Sequence, residues 1–266
     1  MPQFPLVALD VGNARIKVGL FRSTCDRGLP EPELSLHFSG REPQWQELRE
    51  LFRDKAALSW WIGSVNRPAT TQLVDWLREQ RPSDRVVLLA ADDLPLAVEL
   101  PRTDMVGVDR LINAVAANRL RQANRPAIVV DVGTAITVDL VSASGAFRGG
   151  SILPGIVMSA RALHDFTDLL PLVPIEELAT APPALGTSTE TAMRSGLFWG
   201  AVGAIRQLIR QLDPGGQGQV FLTGGAGTSV AELLGREALC IPHLTLAGIA
   251  VTAAATNIAA DGDDQT

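Results

Sequence analysis

Two apolar runs in this chain end in the same way. Leu6-Val7-Ala8-Leu9 stops at Asp10-Val11-Gly12-Asn13-Ala14 and is followed by a second run, Ile16 to Phe21. Ala127-Ile128-Val129-Val130 stops at Asp131-Val132-Gly133-Thr134-Ala135 and is followed by Ile136 to Val141. An apolar run, a carboxylate with a glycine, and a returning run predict a β-hairpin. The shared frame recurs at an offset of 121 positions, from 10 to 131. That is a repeat on the scale of a domain rather than of a solenoid.

Other segments fill in the pattern. Trp45, Leu48, Leu51 and Phe52 share one face of a helix over Trp45–Lys55, and Leu73, Trp76 and Leu77 do so over Ala69–Gln80. Leu58–Val65 reads as a strand, and the continuous run Val86–Ala90 as a buried parallel strand. Helices are expected over Leu111–Gln122 and from about Glu190 to Leu212, with a strand at Val220–Leu222 running into Thr223-Gly224-Gly225. Residues 22–33, with Pro30 and Pro32, read as a loop, and a Pro-rich stretch runs to Gly186. Strands alternating with helices point to an α/β fold. With the repeat, the expectation is two related domains, 1–112 and 113–266.

Leu244–Ala260 is almost uncharged and rich in Ala and Thr. It is short for a membrane span and holds Asn257, so a buried helix with small residues for close packing is expected. The tail Asp261–Thr266 is polar and expected to fray. The opening Met1-Pro2-Gln3-Phe4-Pro5 has no basic n-region and no long apolar stretch, so no export signal is expected there.

Composition narrows the function classes. The chain has 266 residues, 46% of them hydrophobic and 20% charged, which is globular and not disordered. A net charge of −6 provides no footprint for a nucleic-acid backbone. Cys25 and Cys240 form no CxxC pair, so zinc is unsupported and a reducing cytoplasm is the simpler setting. His37, His164 and His243 are scattered and read as structural or surface residues.

The glycine turns carry the candidate chemistry. A glycine after a strand lets the backbone approach a ligand closely, and the amides of the turn can donate to phosphate oxygens. Asn13 and Thr134 add side-chain donors. Asp10 and Asp131 would repel phosphate directly, so a bound cation is the natural mediator. Lys17 follows the first turn and could meet a terminal phosphate. Thr223-Gly224-Gly225 could pass close under a purine or ribose. No GxxxxGK[ST] and no GxGxxG occur at the first strand, which excludes a P-loop and gives no dinucleotide fingerprint. Asp109, between Gly107 and Arg110, is either the N-cap of the helix that follows or a catalytic carboxylate. Asp104 and Asp139 are competing carboxylates that rank below it.

Read in order, DVGNxxxKxGLF (10–21), GxDRxxNAxAA (107–117), DxGTAxTxD (131–139), GGxIxPG (149–155) with Ala162-Leu163, Gly186 with Thr189 and Gly196, TGG (223–225) and PxLxLxG (242–248) span most of the chain. Together they resemble the type III pantothenate kinases, the family also called Bvg accessory factor-like. The resemblance implies an α/β protein of two actin-like (ribonuclease H-like) ATPase domains with an interdomain cleft. It implies a homodimer and transfer of the ATP γ-phosphate to pantothenate, the first step towards coenzyme A. It also implies Mg2+ and a monovalent cation, K+ or NH4+. Carried over by residue, Asp109 is the general base. Asp10, Gly12, Asn13, Lys17 and Thr134 hold ATP. Gly107, Val108, Asp109, Arg110 and Thr189 bind pantothenate, and Asp131 binds the monovalent cation. Two positions depart from the pattern: Ala14 stands where members usually have threonine, and no tyrosine precedes Gly107, where Pro101 and Arg102 lie. The rival readings are a kinase for another alcohol, a nucleotide-binding regulator, and a filament-forming actin relative.

Overall fold

The computed structural model describes residues 5–23, 25, 27–40, 45–53, 55, 57–174, 180–234 and 238–262, with side chains as far as residue 256. Met1 to Phe4 and the end of the tail expected to fray lie outside the described residues.

The first sheet contains β1 (Leu6–Val11), β2 (Arg15–Phe21), β3 (Leu34–Ser39), β4 (Ser59–Ser64) and β5 (Arg85–Leu88), in the order β3-β2-β1-β4-β5. The second contains β6 (Ala127–Val132), β7 (Ala135–Val141), β8 (Phe147–Pro154), β9 (Gln219–Thr223) and β10 (Ala238–Cys240), in the order β10-β9-β6-β7-β8. The two orders are the same once β1 to β5 are matched with β6 to β10. The senses match as well. β1 runs antiparallel to β2 and parallel to β4, and β6 runs antiparallel to β7 and parallel to β9. The repeat seen in two turns is therefore a repeat of the whole five-stranded unit.

The helices are α1 (Trp45–Phe52), α2 (Arg67–Gln80), α3 (Val108–Leu120), α4 (Ile156–Asp165), α5 (Thr189–Leu212), α6 (Gly227–Ala231) and α7 (Leu244–Gly262). Alternation along each strand sorts their partners. Val7, Leu9, Val11, Ile16 and Val18 bury one face of the first sheet against Leu48 and Phe52 of α1 and Leu73 and Leu77 of α2. On the opposite face, Gly19 lies against Leu246 of α7, and Gly63 against Ile112 of α3 and Ile249 of α7. In the second sheet, Ile128, Val130, Val132, Ile136 and Val138 pack on Phe198, Val202 and Ile205 of α5.

The chain divides into two compact units. One holds residues 1–120 together with 243–266, and the other residues 121–242. The border expected at 112/113 falls inside α3, and α7 belongs with α3 rather than with the second sheet. Thr245 Oγ1 of α7 donates to Asn113 Oδ1 of α3 at 2.8 Å, both side chains being buried. A Cβ on Gly248 would overlap the Ile112 carbonyl, so the two backbones cross closely. This is the small-residue packing expected for Leu244–Ala260. Among the described residues no helix is long and apolar enough to cross a membrane.

Three local readings need correction or addition. β5 is parallel but is an edge strand, with Leu88 52% exposed, because among the described residues no strand lies beyond it. The Pro-rich stretch contains α4. The strand β3 was hidden by an edge position with alternate residues open to water.

Candidate active site

Each β-hairpin ends in a braced glycine turn. In the first unit, the Gly12 N–H donates to the Arg15 carbonyl at 3.0 Å. Gly40, just past β3, donates its N–H to the Ala14 carbonyl at 2.9 Å. Asn66 caps α2 through Oδ1, which accepts from Ala69 N–H at 3.2 Å, while its Nδ2 donates to the Gly12 carbonyl at 3.2 Å. Carbonyls of this turn are thus engaged from behind, and Asn13 lies exposed.

The second unit repeats the device. Gly133 N–H donates to the Ala135 carbonyl at 3.1 Å, and Gly155, just past β8, donates to the Thr134 carbonyl at 3.0 Å. Thr134 is exposed, as Asn13 is. The second turn is one residue shorter, since Gly12, Asn13 and Ala14 separate β1 from β2 but only Gly133 and Thr134 separate β6 from β7. Strand register fixes the equivalences: Val11 faces Ile16 as Val132 faces Ile136. Ala14 and Ala135 therefore are not counterparts, despite the shared motif.

Asp10 and Lys17 face each other across β1 and β2 and form an ion pair, Lys17 Nζ to Asp10 Oδ2 at 3.2 Å. Both are partly shielded from water, so the pair is less screened than a surface one. Asp10 also pairs in register with Gly63 of β4, on which Ile112 of α3 rests. Asp109 lies one helical turn before Ile112, on the same side of α3. In the first unit Asp10 and Lys17 thus pair near the carboxyl end of β1, and Asp109 stands in the first turn of α3, the helix that rests on Gly63 of β4 through Ile112; strand carboxyl ends and helix N-termini are common places for ligands in open α/β sheets.

Asp109 is not the N-cap. Gly107 is the cap, its carbonyl accepting from Arg110 N–H at 3.1 Å. Asp109 stands in the first turn with Oδ1 accepting from the Arg110 N–H at 2.8 Å. A Cβ on Gly107 would lie 2.6 Å from that Oδ1, so the carboxylate folds back over the glycine. Negative charge here is also favoured by the helix dipole. Of the competitors, Asp104 is exposed and holds Arg102 in a two-pronged bond, Nε to Oδ1 at 2.8 Å and Nη2 to Oδ2 at 2.7 Å. That bond keeps its carboxyl below the usual range. Asp139 is 2% exposed within β7.

In the second unit, Asp131 of β6 pairs in register with Thr137 of β7 and Thr223 of β9. Gly224 follows with φ +93°, a conformation that favours glycine. A Cβ there would lie 2.6 Å from Asp131 Oδ1 and 2.5 Å from the Val132 carbonyl, so the third glycine loop closes over the carboxylate. The Thr223 hydroxyl is fully buried and has no hydrogen-bond partner. An orphaned buried oxygen beside a carboxylate fits a cation site. Oxygen donors of this kind suit hard cations. Asp10, a lone carboxylate on its strand end, fits a Mg2+ ion held mainly by nucleotide phosphates and water. Among the described residues there is no cluster of three or more His, Cys, Asp or Glu that would make an all-protein metal cage.

Thr189 opens α5 as its first residue, exposed, while Ser188 is the cap. Ser188 Oγ accepts from Thr191 N–H at 3.2 Å, and Thr191 Oγ1 accepts from Ser188 N–H at 2.9 Å. Capping is thus done by its neighbours, and the Thr189 hydroxyl is left to solvent. The sequence could not separate Thr187, Ser188 and Thr189, whereas the capping geometry does. The sequence offered Thr223 only as part of a loop under a purine or ribose and Thr137 only as a motif position, and suggested a place beside Asp131 for neither. Aligning DVGNARIKVGL with DVGTAITVDL after dropping one turn residue places Lys17 against Thr137 and would have found the latter.

Comparison with known proteins bears on the whole chain. The family model described as type III pantothenate kinase matches residues 6–211, the span from β1 into α5. A type III pantothenate kinase of Rhodopirellula baltica is 35% identical over 266 residues, 90% of this chain and 94% of the relative. Among solved structures, the activator of the 2-hydroxyisocaproyl-CoA dehydratase from Clostridium difficile with bound ADPNP superposes with a TM-score of 0.51 at 14% identity, covering 98% of this chain and 97% of that one. MreB5 of Spiroplasma citri bound to ADP superposes with a TM-score of 0.51 at 7% identity and full coverage of both chains. At such identities these two likenesses speak to fold alone, and the fold is the actin-like ATPase fold.

Proposed function

The chain belongs to the type III pantothenate kinase family, and from that premise we propose how its residues divide the work of phosphorylating pantothenate with ATP, the entry to coenzyme A synthesis. Phosphoryl transfer passes through a loose transition state and needs alignment and charge compensation more than covalent help. Asp109 is the general base. Its carboxylate is held by the Arg110 amide and folded over Gly107, and it takes the proton of the attacking pantothenate hydroxyl late in the transfer. Gly107, Val108, Arg110 and Thr189 position pantothenate. The Thr189 hydroxyl is suited to this because capping is left to Ser188.

Gly12 and Asn13 present the first turn to ATP phosphates, and Thr134 presents the second. Lys17, at 3.2 Å from Asp10, balances phosphate charge, and Asp10 is the protein's contact for Mg2+. Asp131 holds a monovalent cation, K+ or NH4+, which supplies positive charge beside the nucleotide when bound. The reaction is placed in the cytoplasm, consistent with both cysteines being free thiols.

The observation that carries this reading is the Asp109 carboxylate folded over Gly107, one helical turn from Ile112, which rests on Gly63, the register neighbour of Asp10. The test is ADP release by the purified protein with magnesium and potassium, with and without pantothenate. Asp109→Asn is expected to lower kcat by about 10²–10⁴, the usual contribution of a general base, while a non-hydrolysable ATP analogue still binds. Full turnover in that variant would remove Asp109 from its role.

The active form is taken to be a homodimer. Phe166, Leu169 and Leu185, between 82% and 87% exposed in the segments flanking α4 and α5, are large apolar side chains of the kind that a second copy would cover. Light scattering is expected to give twice the chain mass. Phe166→Asp with Leu169→Asp is expected to shift it towards the monomer, and an unshifted dimer would clear these residues.

A further inference from the structure

The two repeats place different chemistry in the same row. Across β2, β1 and β4 the first unit reads Lys17–Asp10–Gly63. Across β7, β6 and β9 the second reads Thr137–Asp131–Thr223. Topology and register are shared, so residues in a row point to the same face, with neighbouring strands about 4.8 Å apart. In the first row an ammonium group lies 3.2 Å from the carboxylate. In the second its place is taken by a hydroxyl, and a further hydroxyl replaces Gly63.

The second of these hydroxyls is unusual. Thr223 is 0% exposed and its Oγ1 has no hydrogen-bond partner. A buried hydroxyl without a partner is costly unless something else meets it. Its oxygen carries two lone pairs, and it stands beside the Asp131 carboxylate under the Gly224 loop. One carboxylate with two neutral hydroxyls offers a single negative charge, which suits a cation of single charge.

We propose that Thr223 is a ligand of the monovalent-cation site and that the Thr137–Asp131–Thr223 row is the counterpart of the Lys17–Asp10 pair. One repeat carries its positive charge on a side chain, and the other draws it from solution. This rests on Asp131 being the cation-holding residue.

The probe is thallium(I), titrated by 205Tl NMR against the protein with magnesium and a non-hydrolysable ATP analogue, alongside melting curves in potassium or choline chloride. Thr223→Val should weaken thallium binding about tenfold, the loss expected for one ligating oxygen, and Thr223→Ser should restore it. In choline chloride, Thr223→Val should melt no lower than the parent, because it removes an orphaned hydroxyl. A lower melting point there, or unchanged thallium affinity, overturns the role of Thr223. Asp131→Asn should abolish binding, and if it does not, the Asp131 assignment itself fails. Thr137→Lys should release ADP in a pantothenate-dependent way without potassium. Continued dependence on potassium would overturn the correspondence with Lys17.

Discussion

Gly107 shows how a single residue type can fix the place of a carboxylate. The Asp109 carboxylate occupies the space that a Cβ at position 107 would need, at 2.6 Å. Gly107→Ala should displace the carboxylate by roughly an ångström, and misplacement of that order costs about 10² in rate. Steady-state kinetics should show kcat falling far more than the roughly 1 kcal/mol of stability that alanine at the cap costs can explain. An unchanged kcat would mean that the fold-back of Asp109 is incidental. Asp104 has its pKa depressed by its bond to Arg102. What that pair contributes is present above the ordinary carboxylate range and is lost only as the pH falls through the depressed value, so an acid limb near neutrality belongs elsewhere. The sequence made Asp109 legible as a candidate through the GxDRxxNAxAA motif, whereas its position at a helix start alone favoured a cap. It could not show that the cap was Gly107, since capping depends on backbone angles that motif spacing does not fix.

At the scale of elements, Asn66 links a helix to the first glycine turn. Its Oδ1 caps α2 and its Nδ2 holds the Gly12 carbonyl. Asn66→Ala should cost about 1 kcal/mol of stability through the lost cap and should also raise KM for ATP, because the turn loses its brace. A melting shift without any change in KM would separate the two effects and count against the brace. The hairpins themselves were readable, since apolar runs ending in Asp-x-Gly leave little choice. The one-residue deletion in the second was not, because Ala135 follows Thr134 just as Ala14 follows Asn13 and conceals the gap. β10 spans only Ala238–Cys240 on the sheet edge, too short to produce a period. β5 gave a misleading one, since Val86, Val87 and Leu88 are apolar yet end at an open edge.

For the molecule as a whole, two related domains opening with the same hairpin were anticipated, but neither the shared five-stranded order nor the border between them was. The linear reading assumed that each copy keeps all of its own helices. Instead α7 packs against α3, through Thr245 to Asn113 and the close crossing at Gly248, and the first unit is assembled from two distant stretches of chain. A ribosome must therefore finish residues 121–242 before it supplies the helix that covers the Gly19 and Gly63 face of the first sheet. Nascent chains halted at Pro242 should resist protease across 121–242 while 1–120 is cut, and extension through residue 262 should protect both. Equal protection of 1–120 in the halted chain would show that the first unit does not wait. If it does wait, the half of the protein that bears Asp109 is made first and matures last, and a cell holding unfinished chains holds no stray catalyst.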